Sequence, residues 1–253
     1  MANILITGST QGVGLNAAKL LLDEGHGVIL HARNANRAES FGDLAGGAKG
    51  VVIGDLSLMA DVRRIVDQAA SFSPIDAVIH NAGILGGSCR KETTEGHLQV
   101  LAVNALAPYL LSKLLPAARH IFTGSSMHFG HNKILEDLEW RSRRWSGSQA
   151  YGESKLSVTT LSAALARLCP NIVYQTVDPG WVPTRMGGAS ASDPLELAHV
   201  TQCWLATSND AITLQSGQYW HHMKPRAPDA KVRNQEFQNT LLKHLARLSG
   251  LVN

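Results

Sequence analysis

Tyr151 and Lys155 stand four positions apart at the head of an apolar-striped stretch that continues through Leu161, Ala164, Leu165 and Leu168. On a helix that spacing puts both side chains on one face. A free phenol, with a pKa near ~10, is a poor proton carrier at neutral pH. An ammonium one turn away favours the phenolate and so lowers that pKa. The pair could therefore hand a proton to a substrate atom or take one from it. Two hydroxyls, Ser125 and Ser126, close an apolar run at 120–124, and Asn104 interrupts an otherwise apolar stretch. A polar amide there is costly to bury unless it is bonded, which implies a specific partner. A second kind of chemistry is written in Thr7, Gly8, Ser9, Thr10, Gln11, Gly12, Val13 and Gly14. A glycine-rich turn that enters a helix offers free backbone N–H groups and a partial positive charge, and so cradles a pyrophosphate. Strand, glycine-rich turn and helix in that order open a dinucleotide-binding unit, here with the spacing Gly-x-x-x-Gly-x-Gly and not Gly-x-Gly-x-x-Gly.

These residues need a scaffold, and the chain supplies one in alternating pieces. Asn3-Ile4-Leu5-Ile6 is a strand, and Ala17, Ala18, Leu21 and Leu22 stripe the helix that follows it, with Gly25 past its end. Further strands are predicted at 27–33, 49–54, 76–80, 120–124, 172–177 and 217–220. Between them, Val62, Ile65, Val66 and Ala69 repeat at helical spacing behind a Ser57 cap, and a long helix is predicted over 94–113 with a kink at Pro108. Asp193-Pro194-Leu195-Glu196 has the form of a helix start, and a last helix is predicted over 231–248. Strand and helix in alternation imply an α/β fold: one domain, 1–253, built on a doubly wound, Rossmann-type parallel sheet of about seven strands.

The end of the second strand should face the adenosine ribose. It carries Ala32 and Arg33 and no acid, with Arg37 close behind. A guanidinium pairs with a 2′-phosphate through charge-assisted bonds, so NADP(H) is expected over NAD(H). Asp55, beside Leu56, could accept a bond from the adenine amino group, and Asn81, Ala82 and Gly83 leave room for a flat ligand on the backbone.

Composition narrows the classes. A net charge of +3 without a long basic run argues against nucleic acid as a partner. Cys89, Cys169 and Cys203 are far apart with no Cys-x-x-Cys pair, which argues against a zinc site or a disulfide framework and suits a reducing compartment. Eleven histidines fall at no metal-ligand spacing. No apolar run is long enough to span a bilayer, and the first strand leaves no room for a signal peptide, so a cytoplasmic protein without a membrane anchor is expected.

The ordered set Thr7-Gly8-x-x-x-Gly12-x-Gly14, Asp55, Asn81-Ala82-Gly83, Asn104, Ser126, Tyr151-x-x-x-Lys155, Pro179-Gly180 and Thr184 resembles the short-chain dehydrogenase/reductase family. The stretch Ser125-Ser126-Met127-His128, with Ala150-Tyr151-x-x-Ser154-Lys155-Leu156, is most similar to its retinol dehydrogenase and protochlorophyllide reductase-like branch. The resemblance implies an alcohol–carbonyl oxidoreductase in which Tyr151 is the general acid or base. Lys155 would also hold the nicotinamide ribose, and Ser126, with Ser125 as the alternative, would bond the carbonyl oxygen. Asn104 would hold a relay water, Pro179 and Gly180 would shape the pocket wall, and Thr184 would bond the nicotinamide carboxamide, with Val182 also at the cofactor. It further implies a lid over about 181–192 that closes on a small alcohol or carbonyl substrate. Trp140, Trp145, Trp181 and Met186 either make an apolar pocket for that substrate or pack the loops. Ser126 and Tyr151 are 25 positions apart, longer than in tetrameric members, so the inserted segment, about 128–148, lies over the cleft or blocks the helix face used for assembly. A monomer or homodimer is expected. Two other readings remain open: reduction of an activated C=C bond, and a non-catalytic NADP(H)-binding regulator.

Overall fold

A computed structural model describes residues 1–251; positions 252 and 253 of the expected domain lie outside the described residues. Seven parallel strands, β1 (Asn3–Ile6), β2 (Gly27–Ala32), β3 (Gly50–Ile53), β4 (Ala77–His80), β5 (Arg119–Thr123), β6 (Val173–Asp178) and β7 (Gln218–His221), form one sheet with an antiparallel edge strand, β8 (Lys224–Arg226). The order is β3-β2-β1-β4-β5-β6-β7-β8, so the winding reverses between β1 and β4 and opens a crevice at their carboxyl ends. Both faces are covered, which is why the strands read as continuous apolar runs. Ile4 and Ile6 point to the core beneath α1 (Gly12–Asp23) and α8 (Val200–Thr207), while Leu5 points to the core beneath α4 (Met59–Ala70), α6 (Ala107–Leu114), α7 (Gly147–Leu168) and α9 (Gln235–Ser249). Two one-turn helices, α2 (Ala35–Glu39) and α3 (Asp43–Gly47), fill the connection after β2.

Several predicted elements take a different form, each for a local reason. The helix expected over 94–113 is a single turn, α5 (Gln99–Leu101), then a π segment over Ala102–Leu106, then α6. Pro108 has no N–H, and in an α-helix that nitrogen would be the donor to the Asn104 carbonyl; the wider π turn accommodates the missing bond. Residues 94 and 95 lie outside any helix, and the Glu95 carboxylate instead caps α4, accepting from Met59 N (2.5 Å) and Ala60 N (3.1 Å). Ser57 is not the cap; its own N–H donates to Asp55 Oδ1 (2.9 Å). Asp193 likewise starts no helix, because its carboxylate accepts from Trp181 N (2.6 Å), and Pro194 heads only a 3-10 turn over Leu195–Leu197 before α8 begins at Val200. The last predicted helix divides into a 3-10 turn, Ala230–Arg233, and α9. Helix α7 starts at Gly147 under a Ser146 cap, which places Tyr151 and Lys155 inside the helix and not at its opening.

The 128–148 segment lies against α7, and none of its residues lines the crevice. Trp140 Nε1 donates to Glu153 Oε2 (2.8 Å), and Arg143 forks onto both Glu153 oxygens (2.8 and 2.7 Å) while stacking 3.9 Å from the Trp140 ring. Trp140 holds a left-handed backbone (φ 54°), which a bulky residue adopts only where its surroundings over-determine it. Among the described residues no helix is long and apolar enough to cross a membrane.

Candidate active site

The crevice is a cleft of about 1020 Å³ that runs from the glycine turn to the 181–192 loop. Of the residues singled out by sequence, Gly8, Thr10, Gln11, Gly12, Val13, Gly14, Arg33, Asp55 and Leu56 line one end, and Asn81, Ala82 and Gly83 the middle. Ser125, Ser126, Tyr151, Lys155, Pro179, Gly180, Val182 and Thr184 line the other end. Two stand behind the wall. Ser9 is fully buried, and its hydroxyl accepts from His31 N (2.9 Å). Asn104 is buried within the π segment, where its Oδ1 accepts from Ile84 N (2.9 Å) and its Nδ2 donates to Ile84 O (3.0 Å) and Ser154 Oγ (2.9 Å). Its amide thus fixes the Gly83–Ile84 backbone to α7.

The glycine turn is stitched to the strand beside it. Asn81 Nδ2 donates to Thr7 O (3.0 Å), and Ala82 N donates to Thr7 Oγ1 (3.1 Å). A Cβ on Gly14 would fall 2.3 Å from Asn81 Nδ2 and 2.6 Å from Gly8 O, so only glycine permits this approach. Gly8, Gly12 and Gly14 also line the cleft, so the turn presents backbone to it at a helix N-terminus, the chemistry a diphosphate needs. Past the end of β2, Arg33 is exposed on the cleft wall, and Arg37 Nη2 reaches Thr10 Oγ1 (3.1 Å) and Gln11 Oε1 (2.8 Å).

His31 escaped the sequence reading. Its Nδ1 accepts from Gly8 N (2.9 Å), so its Nε2 carries the proton and donates to Gly54 O (3.0 Å). Burial pushes its pKa down to about 4, which keeps this neutral form. The signal available was a polar residue inside an apolar strand.

At the chemical end, Tyr151 is nearly buried, and burial pushes its phenol up to about 12. A hydrogen bond from the Ser125 hydroxyl pulls the other way, and the charge of Asp178 pushes up again. Ser125 and Ser126 both stand on the cleft wall, and Ser125 caps the 3-10 turn Ser126–His128 by accepting Met127 N on its Oγ (3.2 Å). Lys155 is buried with its Nζ donating to Thr123 O (2.8 Å), 5.6 Å from the centre of the Tyr151 ring. Burial lowers its pKa to about 8, against the attraction of Asp178. The ammonium is turned to the Thr123 carbonyl, and burial dominates the phenol. Asp178, also missed, accepts from Gly180 N (3.0 Å) and from the Tyr219 hydroxyl (3.1 Å).

The 181–192 loop is tied at its stem. Trp181 N donates to the Asp193 carboxylate and Asp193 N to Trp181 O (2.8 Å), while Trp181 Nε1 holds Gly187 O (2.9 Å). Trp181 and Met186 line the cleft, whereas Trp140 packs against α7.

Residues 2–125 match the family model for short chain dehydrogenases. An uncharacterized oxidoreductase of Emericella nidulans is 37% identical over 99% of this chain and 98% of its own length. Retinol dehydrogenase 13 of Homo sapiens is 26% identical over 98% of this chain and 84% of its own, in line with the branch suggested by the Ser125–His128 stretch. A crystal structure of an uncharacterized protein from Mycobacterium paratuberculosis shares the fold, with a TM-score of 0.82 at 23% identity, over 99% of this chain and 94% of that one. From its glycine turn to its tyrosine–lysine helix, the chain belongs to the short-chain dehydrogenase/reductase family of oxidoreductases.

Proposed function

We propose that this oxidoreductase uses NADP(H) to interconvert an alcohol and an aldehyde or ketone, with Tyr151 as the proton donor for reduction and the acceptor for oxidation. The observation that carries the reading is that Tyr151, Lys155 and the Ser125–Ser126 hydroxyls line one wall of the cleft that begins at the glycine turn. A bound nicotinamide dinucleotide would supply or take the hydride. The protein's part is the proton and the charge. As a carbonyl oxygen gains charge, Tyr151 gives it a proton and Ser125 donates to it. Ser125 can do so because its Oγ receives the Met127 N–H, which leaves its own proton free. Lys155, bonded to Thr123 O and beside Gly83, would bond the nicotinamide ribose, with Thr184 and Val182 on the same cleft at the nicotinamide. Asn104, its amide committed, offers a backbone carbonyl without an α-helical donor to a relay water.

The preference for NADP(H) rests on the exposed Arg33 and on Arg37, with no carboxylate at the end of β2. The substrate is apolar, since exposed Leu85, Met127, Trp181 and Met186 stand around the mouth of the chemical end. A monomer is favoured because α7 is covered by the chain's own 140–145 segment and by α9.

The test is NADPH consumption against aldehydes, ketones, quinones and enones, with wild type and Tyr151→Phe compared directly. Wild type is expected to turn over carbonyls, and Tyr151→Phe to lose turnover while its NADPH Kd stays within twofold. Near-normal turnover by Tyr151→Phe would remove the proton role. Tight NADPH binding without turnover by either protein would favour the regulator.

A further inference from the structure

His128 has no part in the reading above, yet it is fully buried three residues past Ser125. Its ring faces two partners. The Asp229 N–H donates to Nε2 (3.0 Å), so Nε2 is the acceptor and the ring proton sits on Nδ1. Nδ1–H therefore donates to the Ser125 carbonyl (2.7 Å), which also accepts the His128 backbone N–H (3.1 Å). The Asp229 carboxylate returns the clasp by accepting from Gly130 N (3.2 Å). The ring packs on Phe129 (4.0 Å between centroids) and on Tyr219 (4.9 Å), whose hydroxyl holds Asp178. On the other side the same turn abuts α7: a Cβ on Gly152, the residue after Tyr151, would lie 2.6 Å from Met127 O.

We propose that His128 is a positioning residue for the reaction: as the Nδ1–H tautomer imposed by the Asp229 N–H, it sets the Ser125 backbone so that the serine hydroxyl meets the Tyr151 phenol and the substrate oxygen. The inference rests on the serine role assigned to Ser125. Its consequence is a chemical link between the 229–233 segment, which leads into α9, and a serine about one hundred residues earlier in the chain. A serine turn held only by its own backbone bonds would be free to rotate Oγ off the phenol, and errors of ~1 Å at a reacting group cost large factors in rate.

The experiment compares His128→Gln and His128→Asn. The asparagine amide nitrogen falls near the place of Nδ1 and keeps a donor for Ser125 O; glutamine reaches the Nε2 position and leaves Ser125 O without it. Both lose the imidazole, so loss of packing affects them alike. The expected result is a kcat at least tenfold lower for His128→Gln and within threefold of wild type for His128→Asn, with the NADPH KM within twofold for both. In a Ser125→Ala background the further loss from His128→Gln should shrink to under twofold, since the hydroxyl it positions is gone. Should His128→Gln fold poorly, Asp229→Ala and Asp229→Pro are compared: both lose the carboxylate that holds Gly130 N and Lys231 N, only proline, which suits the backbone φ of −51°, loses the N–H that sets the tautomer, and kcat is expected to fall at least threefold further in Asp229→Pro with KM unchanged. Equal kcat for the two His128 variants, or the full His128→Gln loss retained without the Ser125 hydroxyl, would overturn the inference. An unchanged kcat in Ser125→Ala alone would instead remove the serine role on which it rests.

Discussion

Replacing Lys155 by methionine separates what the site costs the fold from what it gives the chemistry. The ammonium is buried, and burial brings its pKa from the ordinary 10.5 to about 8. At about 1.4 kcal/mol per pH unit, keeping that ammonium charged in the folded protein costs on the order of 3 kcal/mol at neutral pH. Methionine has a similar volume and no charge to desolvate, but it leaves the Thr123 carbonyl without its donor, a loss of ~1–3 kcal/mol. The net effect at pH 7 is a gain of roughly 1 kcal/mol for Lys155→Met, or a Tm higher by ~2–4 °C at this chain length. The pH dependence is the sharper signature. The folded pKa lies below the unfolded one, so between about pH 8 and 10.5 the unfolded wild type binds the extra proton. Wild-type stability therefore rises with pH across that window relative to the variant, which has no such group. The advantage of Lys155→Met is full below pH 8 and shrinks by on the order of 3 kcal/mol toward pH 10.5. The hydrogen bond to Thr123 does not alter this, since a neutral amine still donates. Denaturant titrations of ligand-free protein at pH 7 and pH 10, alongside turnover at pH 7, make the measurement. Turnover should be lost in the variant. A stability difference that does not change with pH would refute the buried, strained ammonium.

Two further outcomes follow from the cofactor end. Arg33→Ala should raise the NADPH Kd tenfold or more and leave the NADH Kd within twofold, since a charge-assisted pair is worth ~1.5–3 kcal/mol; parallel titrations of both coenzymes read it directly. Gly14→Ala places a methyl on Asn81 and the Gly8 carbonyl, so stability should fall by ~1–3 kcal/mol and NADPH binding should weaken more than tenfold in the same sample, measured by melting and by coenzyme fluorescence.

The parts of this protein legible in its sequence are those whose spacing is itself the geometry. The β1 run and the glycine turn are contiguous, and Tyr151 and Lys155 lie one helical turn apart, so their placement needed no distant partner. The parts that were not legible depend on residues far away in the chain. Glu95 caps α4 from thirty-five or more residues downstream, which left Ser57 looking like the cap. Asp193 has the form of a helix start but is held by the backbone of Trp181. The β8 strand follows a turn in which His222 and Met223 both take positive φ, 45° and 65°, where a hairpin signal would have been Asn or Gly. Ser125 and Ser126 are chemically identical neighbours; that Ser125 caps the turn after β5 depends on the fold of that turn and not on residue type. The histidines His31 and His128 look alike in sequence; their partners, Gly54 and Asp229, are 23 and 101 residues away.

The central claim is that a hydride goes to a carbonyl carbon while Tyr151 protonates the oxygen. An apolar α,β-unsaturated ketone offers both possible acceptors in one molecule. Incubated with NADPH deuterated at the transferred position, it should yield the allylic alcohol with deuterium on the carbinol carbon, and no such product with Tyr151→Phe. A saturated ketone carrying deuterium at its β-carbon would contradict the account and place the protein among reductases of carbon–carbon double bonds.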